Sequence, residues 1–322
     1  MKRSARCLTL LGALLGASFA HAKELPNFDA SFHETSVNVS APVVRSNTGP
    51  KLSVASMDAR RGVPSFVWAP RDASPPAGLK APASADVSAR RALSMAAPRL
   101  GLSAGAVDSA ILEEVDDSGN GGILVRFVQE IDGIEVYRSR ATVVLDRDHR
   151  WVAASNSLHP EAIAGNKRIS RSFAITPEDA IASALHDRHE ITVPLENLVP
   201  VGQADRYSKF NLLPVSDIEF AGPSRVKKVY FPLGKQLVPA YFLEMRTKRI
   251  DENDSDAYAY VIAANDGRVL LRQNLTHAFS YRVWADPKFQ NRPTDGPQAD
   301  YNPNPVGVPN GSSPPTSPPC SF

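Results

Sequence analysis

Two alternating apolar runs meet at Asp132-Gly133 within the stretch from Ile123 to Asp146, ILVRFVQEIDGIEVYRSRATVVLD. Val125, Phe127 and Ile131 fall on one face at period two, and Arg126 and Glu130 fall on the other. The Asp-Gly pair supplies the positive φ angles that a type I′ connection requires, so the pattern predicts a β-hairpin. Ala85 to Ala97 changes the period: Ala89, Leu93, Ala96 and Leu100 lie near one helical face, and Pro98 and Gly101 punctuate its end. Strands are predicted at Ala110 to Val115, after a turn over Asp116 to Gly122 in the hairpin itself, and at Trp151 to Ser155 after an Arg147-Asp148 turn.

The same plan recurs from Ile175. Thr176 can cap a helix, Pro177 suits its first position, Glu178 and Asp179 complement the positive end of the dipole, and Ala180, Ile181, Ala184 and Leu185 form the buried stripe. Strand-like runs follow at Val226 to Leu233 and Leu237 to Thr247. A further pair, Ala257 to Ala263 and Arg268 to Gln273, turns about Asn265-Asp266-Gly267. The expected fold class is α+β, with two consecutive units at residues 85–158 and 159–280, each a helix packed on an antiparallel sheet and joined between about Asn156 and Ile175. Residues 23–84 read as an extended approach, with apolar patches at Val37-Asn38-Val39 and Pro64 to Trp68. Residues 281–322 read as a Pro-rich linker or tail.

The 322 residues are 43% hydrophobic and 22% charged, a globular balance. Lys2, Arg3 and Arg6 precede an uncharged apolar run from Cys7 to Ala20 that closes in Ala20-His21-Ala22. Residues 1–22 therefore read as a signal peptide cut between Ala22 and Lys23, and the protein as secreted or periplasmic. The run is too short to span a bilayer, and no later segment approaches the roughly 20 apolar residues that spanning requires. The leader holds three of the 36 Lys+Arg residues and none of the 34 Asp+Glu, so its removal takes the formal charge from +2 to −1. No basic block with interleaved aromatics remains to suggest a nucleic-acid partner. Cys7 leaves with the leader and Cys320 is alone in the tail, so no intramolecular disulfide can form.

The phrase R-F-x-Q-x-x-D-G-I-x-V-Y, carried by Arg126, Phe127, Gln129, Asp132, Gly133, Ile134, Val136 and Tyr137, resembles the FTP module, the fungalysin/thermolysin propeptide domain. Val238 to Arg246 and Tyr258 to Leu270 resemble the PepSY module, Asp58 to Phe66 the segment before FTP in fungalysin precursors, and the opening of the tail from Tyr281 the join to the catalytic domain. The resemblance implies a propeptide that binds, inhibits and assists the folding of a secreted zinc metallopeptidase, in cis or in trans. It implies that zinc belongs to a catalytic domain absent from this sequence. One alternative is a truncated precursor of a fungalysin-type metalloendopeptidase, and another is a non-enzymatic PepSY-type envelope regulatory or binding protein.

Chemistry-bearing motifs are sparse. None of His33, His149, His159, His186, His189 or His277 sits in H-E-x-x-H, since the second histidine after His33-Glu34 would fall on Val37. His186 and His189 stand three apart near a helix end, where cationic residues complement the dipole without any ligand. Asp251 to Asp256 is acidic but lacks the spacing and glycine of an EF-hand loop. Gly119 to Gly122 opens a strand rather than a helix, which disfavours a phosphate cradle. No G-x-S-x-G elbow is present. The expectation is a chain with no catalytic residue, no metal site, no cofactor and no membrane span.

Overall fold

The computed structural model describes residues 25–34, 52–58, 62–70, 84–250 and 255–276, with dipeptides at 285–286 and 292–293. It divides into two compact units, Met1–Leu275 and Thr276–Phe322. The first unit opens with β1 (Phe28–Asp29), α1 (Ala30–Glu34), β2 (Ser53–Asp58), β3 (Val63–Trp68), α2 (Ala85–Ala96) and α3 (Ala104–Asp108). β4 (Ala110–Asp116), β5 (Ile123–Ile131), β6 (Ile134–Leu145), β7 (Trp151–Asn156) and α4 (Pro177–His189) follow. After a short 3₁₀ turn at Leu195–Asn197 the elements are strands: β8 (Leu198–Ala204), β9 (Tyr207–Leu212), β10 (Ile218–Leu233), β11 (Gln236–Arg249), β12 (Ser255–Ala263) and β13 (Val269–Asn274). In the second unit β14 (Ala285–Asp286) pairs antiparallel with β15 (Arg292–Pro293). Sheet dominates, with four α-helices among the described residues.

Alternation in β5 and β6 gives each strand one apolar face, and α2 covers it. Ala89, Ala92, Leu93 and Ala96 of the helix pack over Val125, Phe127, Val143, Leu145 and Ala154 in one buried cluster. Small residues on the helix let it lie close to the sheet. The chain leaves α2 through Gly101 at φ +68°, where an added Cβ would lie 2.9 Å from Val63 Cγ1, so both the backbone and the space demand glycine.

α4 is held by a capping box. Thr176 Oγ1 accepts from the Asp179 amide at 3.1 Å, while Asp179 Oδ2 accepts from the Thr176 amide at 2.8 Å. Ala180, Ile181, Ala184 and Leu185 pack with Val226, Tyr241, Leu243, Tyr260 and Ile262, the inward positions of β10 to β12.

One sheet runs through both helix-covered regions, in the order β1-β13-β12-β11-β10-β6-β7-β3-β2, with β4-β5 branching from β6 and β8-β9 from β10. The connection is a short parallel pairing of Val229 with Glu135 and Tyr230 with Val136. It is possible because β6 changes neighbours along its length: Ala141 to Leu145 pair with β7, and Glu135 and Val136 pair with β10. Between the two stretches Arg138 takes φ +55°, where the register against β5 shifts. Ile131, Val136, Ala162, Ile169, Tyr230 and Leu237 fill a small core at this junction.

Several elements exceed the sequence expectation. Val63–Trp68, read as extended approach, enters the sheet as β3 against β7. Val37-Asn38-Val39 lies outside the described residues, as does most of the Pro-rich tail. α3 is a single turn capped by Ser103, too short to show a period. β8 carries Pro200 and Gly202, which demote a strand reading.

Candidate functional site: the motif hairpin and its junction

β5 and β6 meet at Asp132 (φ +53°) and Gly133 (φ +77°), the paired left-handed angles of a type I′ turn. The turn is tied down from outside, since Arg171 Nε donates to Asp132 Oδ2 at 2.6 Å. The motif residues then diverge by face. Arg126 points away from α2 and pairs with Glu114 and, at 3.3 Å, with Asp116. The Glu114 carboxylate raises the Arg126 pKa above its already high ordinary value. Phe127 is fully buried, and the Arg90 guanidinium carbon lies 5.0 Å from its ring centroid.

Gln129 shares the inward parity of Val125 and Phe127 and has no exposed surface. Its two Nε2 N–H groups are shared among Ser109 Oγ at 2.9 Å, the carbonyl of His159 at 3.0 Å and that of Ala106 at 3.2 Å. Its Oε1 accepts from Ser139 Oγ at 2.5 Å and from the His159 amide at 2.7 Å. Burying a primary amide is tolerable only with this degree of satisfaction. The signal available in the sequence was a glutamine at an inward position among apolar neighbours.

Beyond the turn, Val136 enters the junction core. Tyr137 lies 5.9 Å from Phe231 and 5.4 Å from Phe242, centroid to centroid, and burial raises the pKa of its hydroxyl. Sequence reasoning missed the charged ties across the junction. Lys227 Nζ lies 2.6 Å from Glu135 Oε2, with 14% and 12% of the two side chains exposed, and 5.0 Å from the Tyr207 ring centroid. Arg206 reaches Glu130 at 2.6 Å, and Arg138 Nη2 donates to Gln273 Oε1 at 2.6 Å. The hairpin thus carries a hydrophobic core on one side and bolts the two halves of the sheet together at its tip. Its named residues bind parts of their own chain.

At the end of α4 Asp187, Arg188 and His189 are similarly engaged, while His186 is exposed. Asp187 Oδ2 accepts from Tyr260 Oη at 3.0 Å and from Arg272 Nη1 at 2.5 Å, and burial pushes the Tyr260 hydroxyl pKa up. Arg188 pairs with Asp256 and stands 5.0 Å from the Tyr258 ring centroid. His189 Nε2 shares a 2.9 Å hydrogen bond with Thr247 Oγ1, and burial lowers its pKa to about 4. Among the described residues no group of three His, Cys, Asp or Glu side chains is placed to hold a metal ion. Asp251 to Asp254 and the expected cleavage site, Ala22 and Lys23, lie outside the described residues.

A shallow groove of about 430 Å³ runs beside α4, lined by Ser183, His186, Asp187, Thr192 and Arg268 among others. Ser183 Oγ donates to the carbonyl of Asp179 at 2.9 Å, so its proton is committed to the helix. Among the described residues no helix is long and apolar enough to cross a membrane.

Residues 110–158, which span β4 to β7 and the two residues after them, match the sequence profile of the Fungalysin/Thermolysin Propeptide Motif. This is a propeptide motif and not a catalytic domain. The chain is also similar to the solved Bacillus megaterium YpeB C-terminal domain at 14% identity, with a TM-score of 0.25, covering 66% of this chain and 73% of that one. No curated protein matches it.

Proposed function

We propose that this chain is a propeptide-like module that associates with a secreted zinc metallopeptidase, keeps it inactive and assists its folding. The observation that carries the reading is the match of residues 110–158 to a propeptide motif. The internal engagement of the motif side chains supports it further. A module whose Arg126, Phe127, Gln129, Asp132 and Tyr137 all serve its own fold is suited to act through preformed surface rather than through chemistry at one residue. The PepSY-like phrases fall on β11 and on β12 into β13, in the same sheet as the hairpin and separated from it by β10, and extend that surface. The leader expected at residues 1–22 would bring the module to a secreted enzyme.

Folding assistance is testable apart from inhibition. A fungalysin-like metallopeptidase is denatured and refolded with and without residues 23–322 added in trans. The proposal expects a higher yield of active enzyme once the added chain has been removed by proteolysis. An unchanged yield, with the added chain folded, would reject the folding role.

A further inference from the structure

The open sheet edges of the first unit are not alike. β13 is capped by the chain itself: Phe28 pairs with Arg272 and Asp29 with Leu271, and Arg272 Nε donates to the Pro26 carbonyl at 3.0 Å. β8 is blunted by Pro200, which has no N–H, and by a register shift between Pro200 and Gly202. β2 is broken by two register shifts within six residues.

β4 has none of this protection beyond one shift between Leu112 and Glu114. It contains no Pro, Gly or Lys, and among the described residues it pairs with β5 alone. Ile111, Leu112 and Val115 are 45%, 41% and 41% exposed. The strand is also tied from behind, by Arg126 on Glu114 and Asp116 and by Arg140 on Glu113 at 3.1 Å. Arg90 Nη2 secures its start by donating to the Ala110 carbonyl at 2.7 Å. An edge of this kind is an ordered template for a further strand, with little ordering entropy left to lose on its own side.

Charge selects among extended segments. The arginines that pair with the β4 carboxylates stand on β5 and β6, behind the strand. A strand added in front would lie about 4.8 Å from β4 and meet Glu114 and Asp116 first.

We propose that β4 is a docking edge that accepts an extended polypeptide segment with alternating apolar and Lys/Arg side chains. The apolar residues of that segment continue the faces of Ile111, Leu112 and Val115, and its basic residues sit opposite Glu114 and Asp116.

The probe is a synthetic peptide, acetyl-Val-Lys-Thr-Lys-Val-Lys-Thr-amide, mixed at saturating concentration with residues 23–322, and the readout is residue-resolved amide hydrogen exchange. Exchange within Ile111 to Asp116 should slow on the order of tenfold, and the effect should weaken as salt is raised. The same peptide with Glu replacing Lys should leave exchange unchanged. Val115→Lys, at an exposed position, should abolish the protection while the melting transition is retained. If that variant fails to fold, Ile111→Lys is read in its place. No protection at β4, equal protection by the Glu peptide, or protection that survives the folded Lys variant would each overturn the proposal. So would protection that appears without peptide and grows with protein concentration, since it would assign the edge to a second copy of the chain.

Discussion

The side-chain amide of Gln129 and the backbone of His159 bind each other reciprocally: Nε2 donates to the His159 carbonyl at 3.0 Å, and Oε1 accepts from the His159 amide at 2.7 Å. A single glutamine in the middle of β5 thus replaces the strand partner that the chain after β7 would otherwise lack. It fixes the start of the connection that leads towards α4.

Removing that amide should therefore be felt well beyond its volume. Gln129→Leu keeps a similar size but leaves buried backbone and hydroxyl groups short of partners, at a cost of about 2–4 kcal/mol. Gln129→Glu should be worse near neutral pH, because a carboxylate would face the carbonyls of Ala106 and His159 in a buried site. Denaturant unfolding of the three proteins would measure this. A Leu variant within about 0.5 kcal/mol of the parent would mean that the network is dispensable.

The turn offers a contrast in which space plays no part. An added Cβ at Gly133 would meet no heavy atom within 4 Å, so any penalty there comes from φ +77° alone. Gly133→Val should cost on the order of 1–3 kcal/mol, and Gly133→Asn distinctly less, since Asn tolerates the left-handed region. Equal melting temperatures for the two variants would contradict the type I′ geometry.

The hairpin, both main helices and most of the later strands were legible because each depends on local spacing: period two about Asp132-Gly133, and a cap, Pro177 and an apolar stripe for α4. The joining of the two halves was not. Parallel pairing of Val229 with Glu135 sits beside a register shift in the hairpin and an arginine, Arg138, in a left-handed conformation, for which composition gives no warning. The Lys227–Glu135 pair was hidden for a similar reason, because the two residues are 92 positions apart and each lies in an ordinary amphipathic strand. At the candidate site the motif residues were readable one by one, while their common task of holding the sheet together appears only in three dimensions.

His189 gives a pH dependence with a definite sign. Burial holds its folded pKa at about 4, below the ordinary 6.5, so the folded state resists the proton that the unfolded chain accepts. The stability associated with the neutral ring is fully present above about pH 6.5 and is lost as pH falls through 4. For a half-buried ring the loss should amount to about 1–3 kcal/mol. His189→Gln should flatten that part of the stability profile relative to the parent between pH 7 and 4. A parent and variant that lose stability in parallel over this range would refute the assignment.

The central claim is that the folded sheet, and not any catalytic group, engages a metallopeptidase. Its most direct measurement is a titration of residues 23–322 into an active fungalysin-like zinc metallopeptidase, with turnover of a peptide substrate followed over time. The account predicts dose-dependent suppression that fades as the added chain is digested. Gln129→Leu should weaken this suppression in proportion to its lost stability, and no single exposed side chain should abolish it. Undiminished turnover in the presence of excess, demonstrably folded chain would contradict the account.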